Sequence, residues 1–234
     1  MKFNIVVFPG SNCDDDMVHV LANVMGCFTQ KVWHKDLNIA NLGADDCIIL
    51  PGGFSYGDYL RSGAIARFAP IMSTIIKFAN KGGIVIGICN GFQILCESGL
   101  LPGVLMRNEH QQFICKNVNL KKVHNSRINQ NVKDNQILKI PIAHADGRFF
   151  ATDEEIKSIE DNEQIIFKYC DKNGNTSDES NINGSVKNIA GISNKSKNVF
   201  GMMPHPERAS ESILGNVDGR IIFESLIHKK LQLV

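Results

Sequence analysis

Cys89 lies where a strand-like run changes into a segment with helical spacing. Residues 84–86 before it are β-branched and flanked by glycine, which is typical of a buried parallel strand. A reactive side chain at such a corner, with Gly87 and Gly91 two residues to either side, has the arrangement of a nucleophile elbow. The N-terminus of the following helix favours thiolate over thiol. We therefore predict that Cys89 is a nucleophile; the alternative is a small buried apolar residue, as most intracellular cysteines are.

A cysteine nucleophile needs a base, and the base needs a carboxylate to orient it. His205 and Glu207 supply this pair in the segment Pro204-His205-Pro206-Glu207, which follows a predicted strand. Pro206 disfavours helix at His205, and residues two apart in an extended segment point the same way. Glu207 is thus predicted to accept a hydrogen bond from the imidazole of His205. The alternative is a structural histidine beside a capping glutamate.

An oxyanion formed beside Cys89 needs hydrogen-bond donors. The backbone N–H of Asn90 and that of Gly53, in the segment Pro51-Gly52-Gly53, are the predicted pair. Most Pro-Gly-Gly tripeptides are plain turns, so the segment alone carries little weight. The prediction is stronger here because this segment ends the strand that precedes, along the chain, the strand leading to Cys89.

The elements that position these residues alternate between strand and helix in the first hundred residues. Strands are predicted at 5–8, 30–33, 47–50 and 84–88, and helices at about 14–25, 64–80 and 90–98. This order predicts a parallel sheet with helices on both faces and its ligand site at the carboxyl ends of the strands. Later strands at 113–123, 137–142, 164–170, 189–192 and 199–203, a capping-box helix from Thr152 and a closing helix at 221–231 predict an antiparallel extension. We expect one α/β domain spanning residues 1–234, because no repeat or long linker divides it.

Composition limits the possible partners. The formal net charge of +1 gives no reason to expect nucleic acid or an anionic membrane surface, and no apolar run is long enough to span a membrane. The seven cysteines include no Cys-x-x-Cys pair and no Cys/His cluster at zinc spacing. We therefore expect reduced thiols, a cytoplasmic location and no metal site.

The motifs in combination resemble the class I (triad) glutamine amidotransferases, whose fold is a flavodoxin-like three-layer sandwich. Within that class the chain is most similar to the glutaminase subunits of phosphoribosylformylglycinamidine synthases. The segments that carry this closer resemblance are residues 10–14, 52–61, 107–108 and 143–148. The last segment departs from the family's more usual Ala-His-Gly-Glu-Gly-Arg at Ala145 and Asp146.

The resemblance implies a glutaminase mechanism. Cys89 would attack the side-chain amide of glutamine, and His205 would protonate the departing ammonia and then activate water. Gln93 would contact the substrate. The ammonia would pass to a large synthetase subunit that uses ATP and Mg²⁺, with a small bridging subunit between them, to form formylglycinamidine ribonucleotide in purine biosynthesis. The chain itself would bind no cofactor, in agreement with the absence of a Walker-type loop.

Three alternatives remain open. A protease-like cysteine hydrolase on the same sheet usually has histidine directly after the nucleophile, where this chain has Asn90. A glutaminase for pyridoxal phosphate or imidazole glycerol phosphate synthesis is disfavoured by residues 54–61, though only by resemblance. A non-catalytic binding subunit with the same fold is disfavoured because Cys89, His205 and Glu207 are all present.

Overall fold

The computed structural model describes residues 1–39 and 42–227. Its strands are β1 (Phe3–Val7), β2 (Thr29–Trp33), β3 (Cys47–Leu50), β4 (Ile84–Ile88), β5 (Val104–Met106), β6 (Ile114–Lys122), β7 (Ile137–His144), β8 (Arg148–Phe150), β9 (Ile165–Cys170), β10 (Ile189–Ser193) and β11 (Val199–Met202). Its α-helices are α1 (Asp14–Val18), which continues as a π-helical segment His19–Val24, α2 (Ile71–Asn80), α3 (Asn90–Glu97), α4 (Asp153–Asp161) and α5 (Arg220–Ile227).

Nine of these strands form one mixed sheet in the order β2-β1-β3-β4-β11-β10-β9-β6-β7, while β5 and β8 pair separately. The first five strands of the sheet are mutually parallel. From β11 onward every neighbouring pair is antiparallel. The predicted α/β class, with a parallel sheet and an antiparallel extension, is therefore confirmed.

The crossovers place helices on both faces of the sheet. The connection through α1 moves from β1 to β2, and the one through α2 moves the opposite way, from β3 to β4. Because such crossovers are right-handed, α1 and α2 lie on opposite faces. All residues of β3, β4 and β11 are buried, as expected for strands covered on both sides.

The helix expected over 64–80 is interrupted, and this prediction was wrong in its extent. A short 3₁₀ turn, Ala66–Phe68, is followed by extended backbone at Ala69, and α2 begins after Pro70. The cause is local, because a residue that precedes proline is disfavoured in the helical region. The capping box of Thr152 and Glu155 at the start of α4 is present as predicted.

Two further predictions concern the C-terminal helix and membrane-spanning segments. The predicted closing helix is present as α5, while residues 228–231 of that prediction lie outside the described residues. Among the residues described, no helix has the length and apolar content that a membrane span requires.

Candidate active site

Cys89 occupies a strained corner between β4 and α3. Its backbone has φ 50° and ψ −105°, a conformation that non-glycine residues rarely adopt. The side chain is only 5% exposed. A Cβ at Gly87 would lie 2.5 Å from the carbonyl of Gly91, and one at Gly91 would lie 1.9 Å from the carbonyl oxygen of Leu50. Both glycines are thus required sterically, as the elbow pattern predicted.

The two backbone donors predicted to stabilise an oxyanion come from the residue directly after Cys89 and from the loop after β3. Asn90 is the first residue of α3, so its N–H has no helical carbonyl to bind. Gly53 follows β3 with φ 139°, and a Cβ there would lie 2.7 Å from the backbone nitrogen of Asn12. The neighbouring Phe54 N–H donates to the carbonyl of Gly10 at 2.9 Å, which ties the loop after β3 to the loop after β1.

His205 follows β11, the strand beside β4, and its ring is oriented by Glu207. The Nδ1 atom of His205 lies 2.6 Å from Oε1 of Glu207, and both residues are almost fully buried. The backbone differs from the expectation, because Pro206–Ala209 form a 3₁₀ turn rather than an extended segment. Proline suits the first position of such a turn since its missing N–H is not needed there. The predicted contact forms, but through a turn.

Opposing effects determine the pKa of His205. Burial lowers it, whereas the charge of Glu207 and the nearby sulfurs of Cys89 and Cys13 raise it, and the net pKa lies well above the usual range for histidine. The other ring nitrogen, Nε2, is buried without a hydrogen-bond partner among the described residues. With Nδ1 facing Glu207, Nε2 is the nitrogen free to exchange a proton with a sulfur or a substrate.

A cavity of about 110 Å³ opens beside these groups. Cys89, His205 and Gly53 contribute to its wall, and the half-exposed rings of Phe54 and Phe113 also line it. The structure thus brings together Cys89, Gly53 and His205 around one small space, with Glu207 behind the histidine. Such a space, next to a buried sulfur and an unpaired imidazole nitrogen, suits attack on a compact acyl or amide group.

Gln93 lies on α3, one turn beyond the corner, and its amide group already has partners. Its Nε2 donates to the backbone oxygen of Asp146 at 2.6 Å, and its Oε1 accepts from Asn90 at 2.9 Å. The side-chain oxygen of Asn90 in turn accepts from the N–H of Ser55 at 3.1 Å. Gln93 therefore belongs to a network that links α3 to two loops, and its contact with a substrate stays a prediction.

The segment that departs from the family's usual sequence makes its contacts within the chain. The Asp146 carboxylate accepts from Ser62 at 2.9 Å and lies 3.5 Å from Arg107. His144 is buried, and its Nδ1 lies 3.1 Å from Oδ1 of Asn108. Burial, assisted by the charge of His205, lowers the pKa of His144 to about 3, so this histidine is neutral.

Sequence reasoning missed two residues at the site. Cys13, at the end of the loop after β1, lines the cavity, and its sulfur interacts with the His205 ring. Arg208 donates from Nη2 to the sulfur of Cys13 at 3.1 Å and from Nε to Asp16 at 3.2 Å. These residues are far apart in the chain and share no motif. Only their position at the carboxyl end of the sheet could have indicated the contact.

Comparison with known proteins defines the class first. Residues 1–225 match the family model of the CobB/CobQ-like glutamine amidotransferase domain. A glutamine amidotransferase from Thermotoga maritima shares the fold, with a TM-score of 0.54 at 14% identity over 100% of this chain and 93% of its own. The class of the chain is therefore that of the glutamine amidotransferases.

Closer relatives identify the family within this class. The phosphoribosylformylglycinamidine synthase subunit PurQ of Salinibacter ruber is 51% identical over 97% of this chain and 96% of its own. The same subunit of a Nostoc species is 50% identical over the whole of both chains. A chain of the PurLQS structure from Thermotoga maritima matches with a TM-score of 0.84 at 40% identity, over 97% of each chain. The chain belongs to the PurQ family of phosphoribosylformylglycinamidine synthase subunits.

Proposed function

We propose that this chain is the glutaminase subunit of a phosphoribosylformylglycinamidine synthase. In this role it hydrolyses glutamine to glutamate and ammonia, and a large ATP-dependent synthetase subunit uses the ammonia to convert formylglycinamide ribonucleotide to formylglycinamidine ribonucleotide. The observation that carries the proposal is the buried sulfur of Cys89 beside a His205 ring held by Glu207 at 2.6 Å, in a chain of this family. We take the whole chain to act as one domain in the cytoplasm.

The first half of the reaction uses Cys89 as nucleophile. Its thiolate attacks the side-chain carbonyl carbon of glutamine, and the carbonyl oxygen becomes an oxyanion. The N–H groups of Gly53 and Asn90 are assigned to this oxyanion, where removal of a donor costs about 3 kcal/mol in measured cases. Collapse of the intermediate breaks the carbon–nitrogen bond. The proton on His205 Nε2 goes to the leaving nitrogen, so that ammonia departs and a thioester remains.

The second half hydrolyses the thioester. Neutral His205 takes a proton from water at Nε2, and the hydroxide attacks the thioester carbon. The same two N–H groups hold the second oxyanion. Collapse releases glutamate and restores the Cys89 thiolate beside imidazolium. Glu207 keeps the Nδ1 proton in place throughout, which fixes the tautomer in both halves.

The partners follow from the family. We infer that the ammonia passes to a large synthetase subunit, PurL, and that a small subunit, PurS, completes the complex, because the Thermotoga maritima relative belongs to a structure named PurLQS. ATP and Mg²⁺ are assigned to the large subunit and no cofactor to this chain. Gln93 is assigned to glutamine binding, which requires its hydrogen bonds to Asn90 and Asp146 to rearrange.

The test is glutamate release from glutamine, with and without the large subunit, formylglycinamide ribonucleotide and ATP. We expect low activity alone, stimulation by the complete mixture and loss of activity in Cys89→Ala. Cys96→Ala is the matched control, because Cys96, on α3, is also a buried thiol but does not line the cavity. Retained activity in Cys89→Ala would refute the mechanism. If the large subunit and its substrates do not stimulate the wild type, the assignment to purine biosynthesis would be refuted, whereas the glutaminase mechanism would not.

A labelling experiment tests the nucleophile independently. A glutamine-analogue electrophile is expected to alkylate Cys89 alone among the seven cysteines. Peptide mass spectrometry gives the modified position. Modification of the exposed Cys115 at the same rate would show general thiol reactivity instead.

A further inference from the structure

Cys13 packs against the ring of His205. This cysteine lies directly before α1, at the end of the loop after β1, and is 3% exposed. Its sulfur, a ring nitrogen of His205 and a carboxylate oxygen of Glu207 all lie within 4.8 Å of one another. A Cβ at Gly52 would lie 2.6 Å from Cε1 of His205 and 3.2 Å from the Cys13 sulfur. The ring and the sulfur therefore share the space that the missing side chain of Gly52 leaves open.

The Cys13 sulfur is itself held by a cation. Nη2 of Arg208 donates to this sulfur at 3.1 Å, and Nε of Arg208 donates to Oδ2 of Asp16 at 3.2 Å. A planar guanidinium bound at two points has little freedom to rotate. The backbone N–H of Cys13 also donates to the carbonyl of Gly52 at 3.3 Å. The position of the sulfur beside His205 is thus fixed through both its side-chain and its backbone contacts.

The ring of His205 needs a contact besides Glu207. Nδ1 lies 2.6 Å from Oε1 of Glu207, which fixes the tautomer, but a ring held by one hydrogen bond can still rotate about it. Nε2 cannot supply the second contact, because it must exchange protons, and it has no hydrogen-bond partner among the described residues. A misplacement of about 1 Å can lower a rate about 10²-fold. A group that restricts the ring therefore affects catalysis.

We propose that Cys13 and Arg208 are positioning residues of the active site: Arg208 holds the sulfur of Cys13, and the sulfur holds the ring of His205 with Nε2 toward the cavity. The proposal rests on the proposed function, because it assigns roles within the same site. Both residues also line the cavity, so the alternative is direct contact with the substrate. The two roles differ in their kinetics, because a positioning residue changes kcat and a substrate contact changes KM.

Titratable groups from four elements face His205. They are Glu207 in its own turn, Cys89 at the corner after β4, Cys13 before α1 and His144 on β7. Burial lowers the pKa of His205, whereas Glu207, Cys89 and Cys13 raise it, Glu207 the most. His144 is neutral, because burial and the charge of His205 lower its own pKa to about 3. Removal of the Cys13 sulfur should therefore let the imidazolium lose its proton at lower pH, with a smaller shift than removal of the Glu207 charge.

The kinetic test compares Cys13→Ala and Arg208→Met with Cys96→Ala, which removes a buried thiol outside the cavity. We expect kcat for glutamine hydrolysis to fall about 10- to 100-fold in the first two variants, with KM unchanged. Cys96→Ala should keep the wild-type kcat. Cys13→Ser should recover part of the loss, because its hydroxyl oxygen can still accept from Arg208. A raised KM with the wild-type kcat in Cys13→Ala or Arg208→Met would overturn the proposal.

A double variant tests whether Arg208 acts through Cys13. Cys13→Ala combined with Arg208→Met should be no slower than the slower single variant, because both changes remove the same contact. Losses of kcat that multiply would show that the two residues act independently. Arg208 also keeps the proposal testable if Cys13→Ala does not fold, because its side chain is 38% exposed and its truncation opens no cavity in the core. A wild-type kcat in Arg208→Met would refute its role.

The rate at which iodoacetamide alkylates Cys89, measured against pH, requires no turnover of glutamine. The highest pH at which the His205 imidazolium and the Cys89 thiolate exist together should be lower in Cys13→Ala than in the wild type. The shift should be smaller than in Glu207→Gln. A destabilised Cys13→Ala with an unchanged pH profile would show that Cys13 is only structural. The expected shift in a protein without glutaminase activity would support the positioning role and refute the proposed function alone.

Discussion

Nδ1 of His205 and Oε1 of Glu207 lie 2.6 Å apart, and both side chains are almost completely excluded from solvent. The pair has two effects. It fixes which nitrogen of the ring faces the cavity, and it opposes the effect of burial on the charge of the ring. Burial alone would lower the pKa of His205, yet the pKa is well above the usual range because Glu207 and the two sulfurs stabilise the imidazolium.

Glu207→Gln should therefore lower kcat and shift the pH profile. Loss of the orienting carboxylate at a comparable triad reduces kcat by about 10⁴-fold. Since the anion that raises the pKa of His205 is gone, the imidazolium should lose its proton at lower pH. The highest pH at which the His205 imidazolium and the Cys89 thiolate exist together is then lower. The rate of Cys89 alkylation against pH measures this shift, and an unchanged alkaline limit would argue against the role of Glu207.

His144 should make the fold sensitive to acid. Burial, with a contribution from the charge of His205, lowers the pKa of His144 from 6.5 to about 3, so the unfolded state binds a proton between these pH values and the folded state does not. The free energy of unfolding should thus fall by up to about 1.4 kcal/mol per pH unit as pH drops below 6.5. Urea unfolding at pH 7 and pH 5 measures the loss. His144→Gln should reduce it, and an equal loss of stability in this variant would contradict the role of His144.

Gly91→Ala should destabilise the protein severely. The added Cβ would lie 1.9 Å from the carbonyl oxygen of Leu50, which is backbone of β3 and cannot rotate away. Overpacking of this kind costs about 3 kcal/mol and displaces α3. Chemical denaturation measures the cost. Gly43→Ala is the control, because a Cβ there meets only the Asp46 side chain at 3.5 Å. Equal stability of both variants would contradict the steric account of the elbow.

Asn90→Ala should separate catalysis from stability. The Asn90 side chain accepts from Ser55 and donates to Gln93, so its removal loosens the loop that carries Gly53. We expect kcat to fall about 10-fold, less than the 10² to 10³ measured when an oxyanion donor is deleted. Asn198→Ala is the matched control, since Asn198 also makes buried hydrogen bonds, to Ala79 and Gly83, but lies away from the cavity. A similar loss of kcat in both variants would attribute the effect to general destabilisation.

The elbow could be predicted from sequence because it depends on a local steric rule: Gly87 and Gly91 follow from the tight corner. The histidine–glutamate contact was predicted from an extended segment, but it forms through the 3₁₀ turn Pro206–Ala209. The contacts of Cys13 and Arg208 could not be predicted, since they depend on how the loops after β1 and β11 meet. The interruption of the helix before Pro70 could have been predicted from the local sequence, because the residue before a proline is disfavoured in the helical region.

Cys89 and His205 follow two strands that are direct neighbours in the sheet. Ile88 of β4 is in register with Met202 of β11, and the N–H of Cys89 itself donates to the carbonyl of Met202 at 2.8 Å. The two strands that lead to these residues are thus one interstrand spacing of about 4.8 Å apart. The ladder between β4 and β11 positions Cys89, while the N–H of His205 donates to the carbonyl of Pro141 in β7 at 2.8 Å, so the base is also positioned by β7. On heating, we expect the decline in Cys89 reactivity and the melting of the central strands to follow a single curve.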